Sequence, residues 1–300
     1  GMTPDGVAES PILLIGTPAQ IADDLRARRE RWGFSYVVVQ GHDTAEATST
    51  LRLGALVVGN DYRHPVVLAK DMATLDVVSD GRMELGLGAG WMRTDYDQAG
   101  MVYDRPGVRI ERMLESLAVI RGCFGDGPFD HEGAHYTIRG LNGLPKPVQP
   151  SPPVLIGGGG KRMLGIAARE ADIVAVTANL AAGEVGPDAI ADVTAERFDE
   201  KLHWVRDAAG DRFDELELNV LVMSTQITDD RQSALEGTAA MFGMTPDGVA
   251  ESPILLIGTP EQIADDLRAR RERWGFSYVV VQGHDTAEAL APVVAELCGS

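Results

Sequence analysis

Two stretches of the sequence combine several glycines with residues that could contact an anionic ligand. Gly86–Trp91 has the sequence Gly-Leu-Gly-Ala-Gly-Trp, and Gly157–Arg162 has the sequence Gly-Gly-Gly-Gly-Lys-Arg. Because glycine lacks a Cβ atom, its backbone lets a ligand approach closely. Neither stretch has the GxGxxG spacing of a dinucleotide-binding loop or the Lys-Ser/Thr ending of a Walker A loop. We therefore interpret both as glycine-rich strand ends.

The second stretch carries the stronger signal for a phosphate site. A helix is predicted to begin after Gly160, and the first N–H groups of a helix attract anions together with its dipole. Lys161 and Arg162 would add positive charge beside them. The alternative is that the glycines only allow tight turns. Two glycine-rich ends on one face favour the phosphate site, which would comprise Gly158, Gly159, Gly160, Lys161 and Arg162.

The elements that would position these residues alternate between strands and helices. Predicted strands begin near Pro11, Phe34, Leu51, Arg82, Pro152, Asp172, Leu216 and Phe276. Most are continuous apolar runs, as in parallel sheets that are buried on both faces. Strands of this kind predict an α/β fold, a closed (β/α)8 TIM barrel, with insertions that include a hairpin over Phe129–Leu141. An open doubly wound sheet is the alternative, but the first strand–helix turn lacks a glycine-rich loop.

The two ends of the chain carry nearly the same sequence. Residues 1–47 recur at residues 243–289, and the only difference is Ala19 in place of Glu261. A solenoid would instead repeat many times with a period of about 20–50 residues. We expect residues 1–300 to form a single barrel in which the first α–β units are replaced by a copy of the last. Only His42–Ser49 would then join the second and third strands, so most of the second outer helix would be missing.

Bulk composition argues against several classes of protein. The net charge of −18 disfavours binding to nucleic acid, because a negative surface repels phosphate backbones. No run approaches the roughly 18 consecutive apolar residues of a membrane helix, and no secretory signal is visible. The scattered Cys123 and Cys298 indicate neither a disulfide framework nor a zinc site. These features predict a cytoplasmic protein that binds a small molecule and uses neither metal nor membrane.

Five runs within residues 48–300 are recognisable together: Thr50–Val58, Asn60–Pro65, Ser79–Trp91, Pro145–Gln149 and Pro152–Gly160. They resemble the bacterial-luciferase-like superfamily, and most closely its branch that depends on the deazaflavin coenzyme F420. This resemblance implies a (β/α)8 barrel with insertions that binds F420, or alternatively FMN, with the ring system in the barrel mouth.

The resemblance also implies roles for residues along the third and fourth strands. It implies a non-proline cis peptide bond at about Leu56–Val57, where a bulge would press against the cofactor ring. Gly88, Ala89 and Gly90 would flank the ring or its tail. Asn60 belongs to the same matching run and is assigned to the cofactor site with them.

Two residues are candidates for chemistry on the substrate. Trp91 stands where some members of the deazaflavin branch have a catalytic glutamate, which argues against sugar-phosphate dehydrogenation. His42 would lie at the barrel mouth, where the family often has a histidine, although a solvated turn residue is an equal interpretation. Residues 1–47 as a whole do not resemble the usual N-terminus of the family.

Three functions remain open at this point. The first is hydride transfer between C5 of F420 and a small organic substrate. The second is a monooxygenase that uses reduced FMN. The third is a non-catalytic barrel whose cofactor site was damaged when the N-terminus changed. The sequence does not identify the substrate, and it leaves a homodimer open.

Overall fold

The computed structural model describes residues 38–40, 52–282, 286 and 289–297. Its strands are β1 (Val38–Gln40), β2 (Arg52–Gly54), β3 (Val58–Gly59), β4 (Met83–Gly88), β5 (Phe129–Glu132), β6 (Thr137–Leu141), β7 (Val154–Gly158), β8 (Ile173–Val176), β9 (Glu217–Val222), β10 (Ser224–Ile227), β11 (Leu255–Gly258) and β12 (Phe276–Val281). Its α-helices are α1 (Pro65–Ser79), α2 (Arg93–Ala99), α3 (Pro106–Phe124), α4 (Lys161–Glu170), α5 (Pro187–Ala191), α6 (Ala195–Ala209), α7 (Arg231–Phe242), α8 (Pro246–Glu251), α9 (Pro260–Trp274) and α10 (Ala291–Leu297).

The main sheet has the order β1-β2-β4-β7-β8-β9-β12, and β3 pairs with β4 beside β2. All neighbours from β2 to β12 run parallel. Parallel neighbours require long crossovers, and the helices between the strands supply them. The sequence predicts one strand over Leu51–Gly59, whereas the structure divides this segment into β2 and β3.

The sheet curls until its distant strands face each other. The hydroxyl group of Tyr278 on β12 donates a hydrogen bond of 3.2 Å to Oε2 of Glu84 on β4. Strands β7, β8 and β9 lie between these two in the sheet, so a flat sheet would separate them by roughly 19 Å at 4.8 Å per strand. The chain therefore has the curled parallel α/β architecture that the alternation of strands and helices predicts.

Both faces of this sheet are buried. Leu155, Ile173, Ala175, Tyr278 and Val280 pack together on the inner, concave face. Their sequence neighbours belong to a larger core that packs against the helices, and this core includes Ile156, Val174, Leu117, Leu164 and Phe198. Burial on both faces explains why the strands read as continuous apolar runs.

The N-terminal part of the predicted barrel requires a correction. The sequence predicts a parallel strand from Phe34 to Val39, but β1 is antiparallel to β2, with Val38 opposite Gly54 and Gln40 opposite Arg52. Antiparallel neighbours can be joined by a short connection, whereas a parallel crossover needs about a dozen residues or more. The predicted strand at Pro11 and the connection His42–Ser49 lie outside the described residues.

The C-terminal copy of the repeated sequence forms α8, β11, α9 and β12. Within it, β11 does not join the main sheet but pairs in parallel with β10, so that Ser224 lies opposite Leu255. β5 and β6 form the predicted hairpin over Phe129–Leu141. Across the described residues, no helix combines the length and the apolar character that crossing a membrane would require.

Candidate functional site

The parallel strands gather the predicted cofactor residues at one end of the sheet. β4 ends at Gly88 and β7 ends at Gly158, and Gly158 lies opposite Val176 at the end of β8. Ligands of curled α/β sheets bind at the carboxyl ends of the strands. Gly88–Gly90 and Gly158–Arg162 therefore lie at the end of the sheet where a ligand is expected.

A bulge between β2 and β3 forms one wall of this end. The peptide bond between Leu56 and Val57 is cis, which confirms the sequence prediction. A Cβ atom on Gly86 would lie 1.8 Å from the carbonyl oxygen of Ala55, and one on Gly88 would lie 2.5 Å from Cγ2 of Val57. Both glycines of β4 are thus required by the bulge itself. Val57, which is 37% exposed, is the apolar group that the bulge presents.

The residues after β4 are held by two tyrosines. Gly90 has a φ of +73°, and a Cβ atom there would lie 1.9 Å from the hydroxyl group of Tyr96. The carbonyl oxygen of Trp91 accepts a hydrogen bond of 2.7 Å from the hydroxyl group of Tyr103. Ala89 packs against the core. This contact involves the backbone of Trp91. The half-buried side chain of Trp91 remains a candidate for contact with a substrate.

Asn60 follows β3 directly and is fully buried. Its Nδ2 group donates to Oδ1 of Asp61 at 3.2 Å and to the hydroxyl group of Tyr136 at 3.5 Å. Its Oδ1 atom has no hydrogen-bond partner among the described residues. A buried acceptor without a partner costs about 1–3 kcal/mol, so Asn60 is suited to accept a hydrogen bond from a bound ligand.

A charged cluster that the sequence does not predict holds this loop. Arg112 of α3 donates to both carboxylate oxygens of Asp61, at 2.7 and 2.8 Å. Asp61 also accepts a hydrogen bond of 2.9 Å from the hydroxyl group of Tyr96. Burial and the neighbouring charge of Asp61 raise the pKa of Tyr96, which keeps this hydroxyl group a donor. The partners are far apart in sequence, so no local pattern reveals them.

The N-terminus of α4 is the part of the site best suited to an anion. Gly160 precedes the helix with φ of −95° and ψ of 151°, and no side chain among the described residues caps the helix start. A Cβ atom on Gly160 would have its nearest neighbours, side-chain atoms of Asn179, at 3.7 Å. In contrast, Cβ atoms on Gly158 and Gly159 would lie 2.5 Å from Met163 and 2.2 Å from Ala178. Among the described residues, Gly160 therefore has space beside it, while the other two glycines are required by the packing.

The two basic residues of α4 have different surroundings. Nη2 of Arg162 lies 3.3 Å from Oε1 of Glu111, which offsets part of its charge. Lys161 is exposed, and its Nζ atom lies 6.0 Å from the centre of the Trp204 ring. Lys161 is thus the more available cation beside the free N–H groups of the helix.

A buried ion pair positions the loop that borders Gly160. Nζ of Lys201 lies 2.6 Å from Oδ2 of Asp192, and this oxygen accepts a hydrogen bond of 2.7 Å from the backbone N–H of Asn179. Burial lowers the pKa of Lys201. Burial alone would raise the pKa of Asp192, but hydrogen bonds from Lys201 and Arg197 hold it below its usual value. Neither residue belongs to a recognisable motif, so the sequence does not predict this pair.

The remaining predictions concern His42 and metals. His42 lies outside the described residues. Within the part of the chain that the structure describes, no group of three or more His, Cys, Asp or Glu residues could hold a metal ion. The candidate site thus described consists of the bulge between β2 and β3, the loop after β3 and the N-terminus of α4.

A curled parallel sheet with a ligand site at the carboxyl ends of its strands defines a class of barrel-like α/β enzymes. The sequence model of the luciferase-like monooxygenases matches residues 43–278. The chain belongs to this family, whose members are monooxygenases and related oxidoreductases.

Individual relatives match shorter regions. An uncharacterised protein of Mycobacterium tuberculosis is 34% identical over 113 residues, which cover 38% of this chain and 39% of the relative. The FMNH(2)-dependent dimethylsulfone monooxygenase of Pseudomonas fluorescens is 27% identical over 135 residues, which cover 45% of this chain and 36% of the relative. The match thus spans less than half the length of either relative.

A solved structure shares the fold over most of the chain. The coenzyme F420-dependent tetrahydromethanopterin reductase of Methanopyrus kandleri superposes with a TM-score of 0.63. It is 21% identical, and the superposition covers 82% of each chain. The likeness shows the fold, and the similar proteins include users of both F420 and FMN.

Proposed function

We propose that the protein is an F420-dependent oxidoreductase of the luciferase-like family, which transfers a hydride between C5 of the deazaflavin ring and a small organic substrate. The chemistry would belong to the cofactor, and the protein would bind and orient it. The N-terminus of α4 is the observation that supports binding of a phosphorylated cofactor, and the resemblance of the sequence motifs to the F420-dependent branch favours F420 over FMN.

The residues at this helix fit the phosphate group of such a cofactor. A phosphate needs hydrogen-bond donors, positive charge and space close to the backbone. The uncapped start of α4 supplies N–H donors, Lys161 supplies charge, and the missing Cβ atom of Gly160 leaves the space. The formal net charge of −18 makes such a local site necessary, because the field of the whole protein repels anions.

The residues at the bulge fit the ring system. The half-exposed Val57 offers an apolar surface, and Oδ1 of Asn60 offers a buried acceptor that has no partner in the described part of the chain. In this role Val57 would support one face of the ring, while Asn60 would accept a hydrogen bond from the ligand. The bulge is fixed between β2 and β3, so the surface would be preorganised for the ring.

The second candidate is a monooxygenase that uses reduced FMN. It is favoured by the relationship to the FMNH(2)-dependent enzyme of Pseudomonas fluorescens. FMN also carries a phosphate group, so α4 would hold either cofactor in the same way. The two cofactors would be distinguished by the ring system and by the protein groups that surround the ring.

Titration of the full chain with F420 and, separately, with FMN in its oxidised and reduced forms tests the proposal. Cofactor fluorescence or ultrafiltration would give the dissociation constants. We expect F420 to bind more tightly than either form of FMN. Tight binding of FMN alone would replace the proposal with the second candidate, and binding of neither would indicate a non-catalytic barrel.

A further inference from the structure

The last unit of the fold is built from a sequence that the chain carries twice. Residues 243–289 form α8, β11, α9 and β12, and residues 1–47 differ from them only by Ala19 in place of Glu261. Glu261 lies in the first turn of α9 and is exposed. No buried side chain therefore distinguishes the two copies.

The residues that form contacts inside the C-terminal copy are present in both copies. The guanidinium group of Arg270 donates to the carbonyl oxygens of Pro253 and Leu255, at 3.2 and 2.7 Å. Thr259 and Gln262 form a reciprocal capping box at the start of α9. Donor and acceptor both lie within residues 243–289 in each case, and residues 1–47 have the same residue types at the corresponding positions.

The surface against which this copy packs lies outside both copies. We call it the acceptor surface, and it consists of Phe198 and Asp199 of α6 together with β9 and β10. Nε1 of Trp274 donates to Oδ1 of Asp199 at 2.7 Å, and the ring of Trp274 lies 6.3 Å from that of Phe198. β12 pairs in parallel with β9, and β11 pairs in parallel with β10. Residues 1–47 offer each of these groups again, with Trp32 in the place of Trp274.

The position of each copy in the chain permits an exchange. Residues 41–51 join the N-terminal copy to β2. β2, to which the N-terminal copy is connected, begins close to β12, because Glu84 accepts hydrogen bonds from both Tyr278 of β12 and Arg52 of β2. Residues 41–51 can span roughly 36 Å when extended, which exceeds the roughly 20 Å length of a six-residue strand.

The same short sequence already adopts two different pairings. Val38–Gln40 is antiparallel to β2. The corresponding residues of the other copy begin at Val280, and Val280 and Val281 pair in parallel with β9. This segment is therefore compatible with more than one partner strand.

We propose that the acceptor surface binds residues 1–47 of the same chain, in exchange with residues 243–289. Glu261 favours the C-terminal copy, because a negative charge in the first turn stabilises a helix. The N-terminal copy is then the minor occupant in the unmodified protein. This inference is independent of the proposed function.

Four versions of the 300-residue chain test the exchange: the unmodified chain, Trp32→Ala, Trp274→Ala and the double variant. If the copies exchange, Trp32→Ala leaves the thermal midpoint unchanged and Trp274→Ala lowers it only slightly, because Trp32 then occupies the same place. The thermal midpoint of the double variant falls by far more than the sum of the falls in the two single variants. If Trp274→Ala is as unstable as the double variant, the proposal is wrong.

NMR of the indole N–H groups shows which tryptophan is bonded to Asp199, and a stability measurement does not show this. In Trp274→Ala, we expect the signal of the indole that is bonded to Asp199 to persist, now from Trp32. Its absence from a folded Trp274→Ala variant would contradict the exchange.

Glu261→Ala makes the two copies identical over their whole length and should raise the share of the N-terminal copy roughly twofold to fivefold.

Sedimentation separates exchange within one chain from exchange between chains. Trp274→Ala should have the same oligomeric state as the unmodified protein over a wide range of concentrations. Larger species that grow with the concentration of Trp274→Ala, and that the unmodified protein lacks, would show that a second molecule supplies the segment. That result would overturn the proposal for the same chain.

Discussion

The ammonium group of Lys201 lies 2.6 Å from the carboxylate of Asp192, and the side chain of Lys201 is fully buried. The same ammonium group donates a hydrogen bond of 2.8 Å to the carbonyl oxygen of Thr177, directly after β8. The pair thereby joins α6 to the loop whose Asn179 borders Gly160. The ion pair thus holds the backbone of Asn179 in place beside Gly160.

Removal of this lysine should destabilise the protein strongly. In Lys201→Met, Asp192 would keep its charge in a buried place without its main partner, and breaking a buried pair in this way costs about 3–5 kcal/mol. Urea unfolding would measure the loss. Lys70→Met, at an exposed lysine of α1, is the matched control and should change stability by less than about 0.5 kcal/mol. Equal stability of the two variants would contradict this role of Lys201.

Gly160→Ala should weaken cofactor binding and leave the fold intact. Its nearest protein neighbours would lie 3.7 Å from the new Cβ atom, which is an ordinary contact, whereas a phosphate on the backbone would meet the methyl group. We expect a loss of affinity of about tenfold or more for F420, since roughly one charge-assisted hydrogen bond would be disturbed. Gly186 precedes α5, and a Cβ atom there would have no described neighbour within 4 Å, so Gly186→Ala should bind F420 normally. A Gly160→Ala protein with unchanged affinity would place the phosphate elsewhere.

Lys161→Ala should reduce affinity more than Arg162→Ala does. Lys161 is free to approach an anion, while Arg162 shares its charge with Glu111. Because Lys161 is exposed, we expect a loss of only about twofold to fivefold at low salt, and this loss should shrink as salt screens the charge. The measurement is the dissociation constant at two salt concentrations. An effect of Arg162→Ala that is equal to or larger than that of Lys161→Ala would show that the pair with Glu111 opens on binding.

Gly88→Ala should destabilise the protein through Val57 in particular. The new methyl group would lie 2.5 Å from Cγ2 of Val57, and overpacking of this kind costs about 1–3 kcal/mol. Val57→Ala removes the atom in conflict, so the double variant should recover most of the loss. Gly86→Ala should not be rescued by the same change, because its conflict is with the backbone carbonyl of Ala55 at 1.8 Å. Thermal unfolding of the single and double variants tests both statements.

Glu84 should make stability depend on pH in a defined direction. Burial is the main reason why the pKa of Glu84 is raised, and the ion pair with Arg52 only partly opposes it. As the pH rises above the ordinary value of about 4.5, the unfolded chain loses this proton before the folded protein does. The contribution of Glu84 to the free energy of unfolding therefore falls through this window, by at most about 1.4 kcal/mol per pH unit. Parallel pH profiles of the unmodified protein and Glu84→Gln would contradict this assignment.

Local sequence patterns predicted the alternation of strands and helices, the hairpin over Phe129–Leu141 and the positions of both glycine-rich strand ends. These features are local, because hydrophobic period, helix starts and glycine clusters can be read within a few residues. Motif resemblance also located the cis peptide bond at Leu56–Val57. The site residues from Gly158 to Arg162 are contiguous, so their proximity required no knowledge of the fold.

Tertiary structure alone decided which of those residues face open space. Gly88, Gly158 and Gly159 look equivalent to Gly160 in sequence, yet their missing Cβ atoms make room for Val57, Met163 and Ala178. The partners of Lys201 and Asp61 are likewise set by how helices and loops meet, since such contacts join residues far apart in the chain. The antiparallel pairing of Val38–Gln40 is also decided by its surroundings, because the identical residues that begin at Val280 pair in parallel with β9. Pairing depends on the neighbouring strand and the connection to it, and neither is a property of the segment alone.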